Sequence, residues 1–441
     1  MLRTVLPIVA SACFAIPAAS AGRLQVGAAR VDITPPAGAA LPMSGYAGRT
    51  HGFEGVHDHI YARAIVLSDG AATAALVGWE LIGVPNPAWA DVSARIAKEC
   101  GIPVDHLLLA AVHDHSAPAP AGIYGNASPQ SAEYTEKLKQ ATVEAVRQAK
   151  ARLQPARVGY GAGRAYVNVN RRELTPDRGW WLGFNPDGVS DKTLAVLRFE
   201  TDAGVPIAFL INYAVHAVVM GPENYQISGD IAGATSRYVE QYYARTLPDP
   251  PRSDAGYGLR PRQGQAPADV VALWTSGAAG DQNPVSMASR DFTMVDALGK
   301  ILGEESVRVA NAIAAAPDVR LHAAQRVVTC PGRKVEEGPR PRREYKFQDA
   351  DPVDIRLSLL MINDIALTGV SGEVLTPIYL HLKRESPFSR TLMLTHTNGA
   401  SGYIPDDAGF DQIGYEVTTS HLKPGCAENA IVNGLVDMMS R

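Results

Sequence analysis

The sequence predicts a mixed α/β (α+β) fold in which multi-stranded mixed sheets are covered by helices. Three observations predict it. Apolar runs of strand length recur, several of them closed by a polar residue or a Gly/Pro turn. Longer stretches of helical period stand among them. No repeat of roughly 20 to 50 residues appears, which excludes solenoid and propeller arrays. A chain of 441 residues is long enough to bury a substantial core.

Taken in order, residues 1–21 stand apart from the rest. Arg3 supplies a positive start, Val5 to Ile16 an apolar run and Ala19-Ser20-Ala21 a small-residue cleavage site, so they read as a secretory signal peptide. The remainder, 22–441, is expected to be one exported domain, secreted or periplasmic. No later run approaches the roughly 18 apolar residues of a membrane span. Leu24 to Ile33 reads as a strand stopped by Thr34-Pro35-Pro36, and Ile60 to Leu67 with Ala72 to Val77 as a hairpin around Ser68-Asp69-Gly70. Trp89 to Glu99 has helical period and Gly101 ends it. His106-Leu107-Leu108-Leu109 opens a buried strand that runs to His113. Ala132 to Leu153 is the longest helix, its apolar stripe interrupted by Glu136, Lys137, Lys139 and Glu144.

Arg157 to Tyr166 and Thr193 to Glu200 read as strands, and Pro206 to Val219 as a continuous apolar strand with His216 near its end. Val271 to Trp274 repeats that design before Gly277-Ala278-Ala279-Gly280-Asp281, and Val295 to Ala316 is helical. Pro331 to Pro352 is charged and Pro-rich, an exposed excursion. Val353 to Leu360 and Ile365 to Val370 make a final strand pair, ending at Gly372-Glu373.

Charge is nearly balanced, at a formal -4, with no basic patch to neutralise phosphates, so nucleic acid is not an expected partner. The expected partner is a small-molecule or lipid-like substrate; the oligomeric state is not readable. Cys13 lies in the leader, which leaves Cys100, Cys330 and Cys426. An odd count permits one disulfide at most, and a Cys330 to Cys426 bridge suits an oxidising compartment. No C-x-x-C pair is present, so a thiolate zinc site is not expected.

The chemistry starts from Val112-His113-Asp114-His115-Ser116. Residues two apart on a strand share a face, so His113 and His115 would converge, and imidazole nitrogen is a favoured zinc ligand. Alone, H-x-H is a weak signal, because zinc needs three or four protein ligands. His216 in an apolar context reads first as a satisfied core histidine, the commoner finding there. Glu373 is harder to place without a partner: a carboxylate directly after a buried strand needs a cation or donors. Tyr403 lies in the Gly-rich Asn398-Gly399-Ala400-Ser401-Gly402-Tyr403 and alone reads as packing. A second pair, His57 and His59, lacks further ligands and reads as surface or as support behind the site.

Together these stretches resemble the neutral ceramidase family, whose zinc amidase domain carries an H-T-H-S-G-P motif, a histidine in A-V-H, an S-G-D turn, a G-D-x-S-P-N segment, a G-E segment and a G-Y segment. Here they stand as His113-Asp114-His115-Ser116-Ala117-Pro118, Ala214-Val215-His216, Ser228-Gly229-Asp230, Gly280-Asp281-Gln282-Asn283-Pro284, Gly372-Glu373 and Gly402-Tyr403. Arg30-Val31-Asp32-Ile33-Thr34, Gly45-Tyr46, Asn170-Arg171 and Tyr415-Glu416 match further family positions. The resemblance implies a zinc ion held by His113, His216, Glu373 and Tyr403. It also implies two departures: Asn283 stands where the family has a catalytic serine, and the chain ends where full-length ceramidases continue into an immunoglobulin-like domain.

A mechanism that needs no serine is metal-activated water, since zinc lowers the pKa of bound water from 15.7 to about 7. His115 would shuttle a proton, Tyr415 and Asn283 would donate to the developing oxyanion, and Asp281 would orient a histidine. Arg171 would hold a substrate carboxylate or hydroxyl, or else form a surface ion pair; Trp180 and Trp181 would line the cleft or pack. The leading expectation is an exported zinc hydrolase of an amide (N-acyl) bond. The alternatives are a zinc hydrolase of a soluble polar ester, lactone or glycan-derived substrate, and a non-catalytic binding protein on the same fold.

Overall fold

The computed structural model describes residues 21–440 except 40, 178, 245–268, 290 and 339. The leader reading therefore lies outside the described residues but for Ala21. Strand β1 (Gln25–Asp32) pairs antiparallel with β2 (Tyr61–Ser68), which turns back as β3 (Thr73–Trp79). The turn closes because the Asp69 carboxylate accepts from the backbone N–H groups of Ala71 and Ala72. Helix α1 (Asn86–Cys100) ends at Gly101, whose φ of 64° is the left-handed cap that glycine permits. Strand β4 (Leu107–Ala111) lies parallel to β3. Helix α2 (Pro129–Ala151) starts where the Ser128 hydroxyl accepts from the Ser131 N–H.

The chain continues through β5 (Gln154–Arg164), β6 (Asn168–Thr175), β7 (Gly179–Asn185), β8 (Thr193–Thr201), β9 (Pro206–Tyr213), α3 (Asp230–Ala244), β10 (Val271–Ser276), β11 (Gln282–Pro284) and α4 (Thr293–Asn311). Its last part holds β12 (Leu321–Val335), β13 (Phe347–Ile362), β14 (Ile365–Val370), β15 (Glu373–Val374), α5 (Thr376–Glu385), β16 (Arg390–Leu394), β17 (Tyr403–Ile404), α6 (Tyr415–Thr419) and α7 (Ala427–Met439). One mixed sheet has eight strands in the order β10-β9-β8-β5-β1-β2-β3-β4, and a second has four in the order β12-β13-β14-β16.

Side-chain alternation turns these sheets into four layers. On β2, Ala64 and Val66 meet Trp89 of α1 and Leu138 of α2, while Ile65 and Leu67 point to the second sheet. On β13, Leu360 and Ile362 face those residues, and Leu359 and Met361 face away, against Ile378 of α5 and Ile431 and Leu435 of α7. Helices α3 and α4 cover Val196, Phe209 and Ile211 at the other end of the large sheet. The order is helices, sheet, sheet, helices, so the mixed α+β class holds in a more definite form.

Several elements differ from the sequence reading. The hairpin β6–β7 carries Trp180 and Trp181 on a strand. Strand β9 stops at Tyr213, so His216 lies on the following loop. Pro331 to Pro352 is only partly an excursion: β12 and β13 stay paired out to Val335 and Phe347, leaving 336–346 as the loop. Its charged composition reflects a hairpin tip exposed on both faces. Cys330 and Cys426 form a disulfide between β12 and the start of α7, and Cys100 is a buried free thiol. Among the described residues no helix is long and apolar enough to cross a membrane.

Candidate metal centre

Four strands bring side chains to one place from their carboxyl ends, where open sheets present ligand-binding groups. His113 follows β4, His216 follows β9, Glu373 follows β14 and His396 follows β16. The first two come from the eight-stranded sheet, the last two from the four-stranded one.

His113 and His216 differ from satisfied core histidines in where their lone pairs point. The Nδ1–H of His113 donates to the Ile82 carbonyl at 2.8 Å and that of His216 to the Ala279 carbonyl at 2.7 Å. A carbonyl only accepts, so each Nδ1 carries the hydrogen and each Nε2 presents its lone pair. The two Nε2 atoms lie 3.2 and 3.6 Å from one oxygen, Glu373 Oε2. That oxygen is buried and accepts no hydrogen bond. Lone pairs facing a buried carboxylate oxygen repel it; Arg171 Nη1 meets the one on His216 at 3.1 Å, and an ion among the three ligand atoms would relieve the rest. A tetrahedral ion with bonds of about 2 Å spaces its ligand atoms by about 3.3 Å, and the two distances to Glu373 Oε2 suit such an ion.

A ligating imidazole has to be neutral. Burial, reinforced by the Arg171 charge, pushes His216 down to about 3. Burial and the neighbouring His113 hold His115 well below the ordinary range, and His396 is lowered in the same way. Glu373 and Tyr403 are register partners in the parallel pair β15–β17, which sets their side chains side by side. The Tyr403 hydroxyl accepts from Arg171 Nη2 at 3.0 Å.

His113 and His115 do converge, with their Nε2 atoms 3.3 Å apart, but not by a strand's pleat. Strand β4 ends at Ala111, and His113 has a left-handed φ of 63°. The Asp114 carboxylate, accepting from the Ser116 N–H, closes the turn. Ligand-capable atoms of His113, His115 and His216 lie within 4.8 Å of one another, and so do those of His113, Glu373 and His396. His115, expected beside the metal and not on it, therefore lies within reach of the same point. Gly45 makes room for it: a Cβ there would collide with His115 Nδ1.

Other expected roles change. Arg171 is not a surface ion pair: its buried guanidinium donates to Glu416 at 2.7 Å and to Tyr403, and its Nη1 lies 3.1 Å from His216 Nε2, the lone pair that an ion would take over. Asp281 holds the Thr376 N–H and hydroxyl and the Gln282 and Asn170 amides rather than a histidine ring. It acts on His216 through the loop whose carbonyls, Ala279 and Gln282, accept from Nδ1. Asn283, buried on β11, turns its amide nitrogen to Met287 Sδ at 3.0 Å. Trp181 stands edge-on to Tyr415 at 5.9 Å and Tyr415 edge-on to Tyr403 at 5.6 Å, while Trp180 is half-buried near Gly414. His57 stacks on Phe292 and His59 pairs with Asp32, both outside the centre. The sequence reading missed His396 and the part of Glu416. The apolar run Leu392-Met393-Leu394 before His396 was the available signal.

The sequence model of the family described as neutral/alkaline non-lysosomal ceramidase, N-terminal, matches residues 24–292. The chain is 31% identical over 231 residues to neutral ceramidase of Pseudomonas aeruginosa, covering 50% of this chain and 34% of that protein. It is 29% identical over 228 residues to neutral ceramidase B of Dictyostelium discoideum, covering 48% and 31%. The matched stretch thus spans about a third of each relative's length. A solved structure titled as ceramidase complexed with C2 superposes with a TM-score of 0.75 at 20% identity, covering 94% of this chain and 74% of the other. The crystal structure of the Pseudomonas aeruginosa enzyme gives 0.74 at 19%, with the same coverage. At that identity the structural likeness speaks for the fold. With the family match running over more than half of its length, the chain belongs to the neutral/alkaline non-lysosomal ceramidase family.

Proposed function

We propose that this chain is an exported zinc-dependent hydrolase that cleaves an amide (N-acyl) bond. The observation that supports it most is the unbonded Glu373 oxygen faced by the lone pairs of His113 and His216. These three residues, with Tyr403 as the fourth, would hold the ion. Bound there, zinc would supply Lewis acidity and an activated water.

The chain's own groups do the rest. Arg171 fixes Tyr403 and Glu416 together at the edge of the centre. Burial and the Glu373 charge raise the Tyr415 phenol, so it keeps its proton at neutral pH and donates to the oxygen that gains charge. His115 is assigned to proton transfer: neutral because of its burial, it would take a proton from the attacking water and hand it to the leaving nitrogen.

A second reading keeps the metal and changes the bond to a polar ester, lactone or glycan-derived substrate. Arg340 favours it. This exposed residue lies in the 336–346 loop, which Arg343 fastens to Pro176 at the β6–β7 turn, and its charge is felt at Tyr415. A non-catalytic binding protein is the third reading.

Elemental analysis of the purified protein tests the metal: about one equivalent of zinc is expected, and under about a tenth, with no response to chelation, would sink both enzyme readings. Chromogenic N-acyl, O-acyl and glycosidic panels then separate the first reading from the second.

A further inference from the structure

His396 carries geometry that none of these roles uses. It follows β16 with a left-handed φ of 53°, uncommon for a residue other than glycine and kept where the surroundings over-determine it. Its carbonyl accepts from the Ala111 N–H at 3.2 Å, two residues before His113, and its N–H donates to the Gly372 carbonyl at 3.2 Å, one residue before Glu373. One residue thus ties together the two segments that carry these ligands, and they belong to different sheets.

The ring adds a second tie. It lies flat on His113, with centroids 4.1 Å apart and planes 12° apart. His115 and His216 stand at 81° and 82° to His113. An imidazole lone pair lies in the ring plane, so crossed rings can aim at one ion while face-to-face rings aim past each other. His396 therefore sits apart from the ligands although a nitrogen of its ring lies within 4.8 Å of theirs.

We propose that His396 is a positioning residue: its ring face sets the plane of His113, and its backbone sets the spacing between His113 and Glu373. The inference rests on the metal reading above. Its test is zinc affinity of the full chain, measured by competition with a chromophoric chelator and without substrate, together with the visible spectrum of the cobalt-loaded protein. His396→Phe keeps a flat face without nitrogen. His396→Leu shares its backbone demand and lacks the face. Groups that orient a metal ligand are worth about 10- to 100-fold in affinity, so the Leu variant should weaken zinc by about that factor and the Phe variant by less than about threefold.

His396→Asn, which tolerates the left-handed backbone, should lose as much as Leu and serves if Leu does not fold. Zinc binding by Leu and Asn at the wild-type level would overturn the inference. So would a Phe variant that loses as much as Leu with an altered cobalt spectrum, since the nitrogen would then be a ligand. A wild type that takes up no zinc overturns the metal reading itself, and the inference with it.

Discussion

Arg171 shows how one side chain holds the centre's outer wall. Its partner Glu416 is 1% exposed, so replacing the guanidinium by an amide leaves a buried carboxylate without its cation. Arg171→Gln should destabilise the fold by about 3–5 kcal/mol in urea titration, and Arg171→Lys should not restore it, because a point ammonium does not span Glu416 and Tyr403 as the planar fork does. The histidines give a pH signature. In metal-stripped protein, His216 takes a proton near pH 3 when folded against 6.5 ordinarily. Across that window the unfolded chain binds a proton that the folded chain refuses, so stability rises with pH, by up to about 1.4 kcal/mol per unit for each such group. His115 and His396 act in the same direction. Asp230, raised to about 6 by burial, acts in the opposite one between 3.8 and 6. Melting temperatures of stripped His216→Leu should therefore depend less steeply on pH than those of wild type.

At the scale of elements, the disulfide joins residues 96 apart in sequence and closes a loop that contains β13 to α6. Cys426→Ser should lower stability by about 2–5 kcal/mol in the same titration. The bridge sits beside the Arg333 N–H bond to the His421 carbonyl, so it secures the segment that follows Tyr415 and Glu416. What the sequence revealed at this scale depended on pattern. Uniformly apolar β4, β9 and β10 were legible, as were their polar ends. Hairpin β6–β7 was not, because Gly179 and Gly183 break the alternation; Gly183 is small because the Glu173 side chain crosses it, where a Cβ would collide with Oε2. For His396 the apolar run before it was the one signal, since its left-handed backbone is not marked by glycine.

At the scale of the molecule, the mixed fold was legible and its layering was not. Ala62 to Leu67 is buried on both faces, and such a run does not tell which face meets a helix and which meets another sheet. Leu360, fully buried between the sheets, tests that arrangement: Leu360→Ala should cost about 2–5 kcal/mol by calorimetry or urea titration. The divided origin of the donors has a mechanical meaning. Neither half of the sandwich owns a complete grip, so an ion captured as proposed would rivet one half to the other. Gradual heating should then release the ion in the same event that parts the halves, and retention of metal becomes a gauge of whether the sandwich is shut.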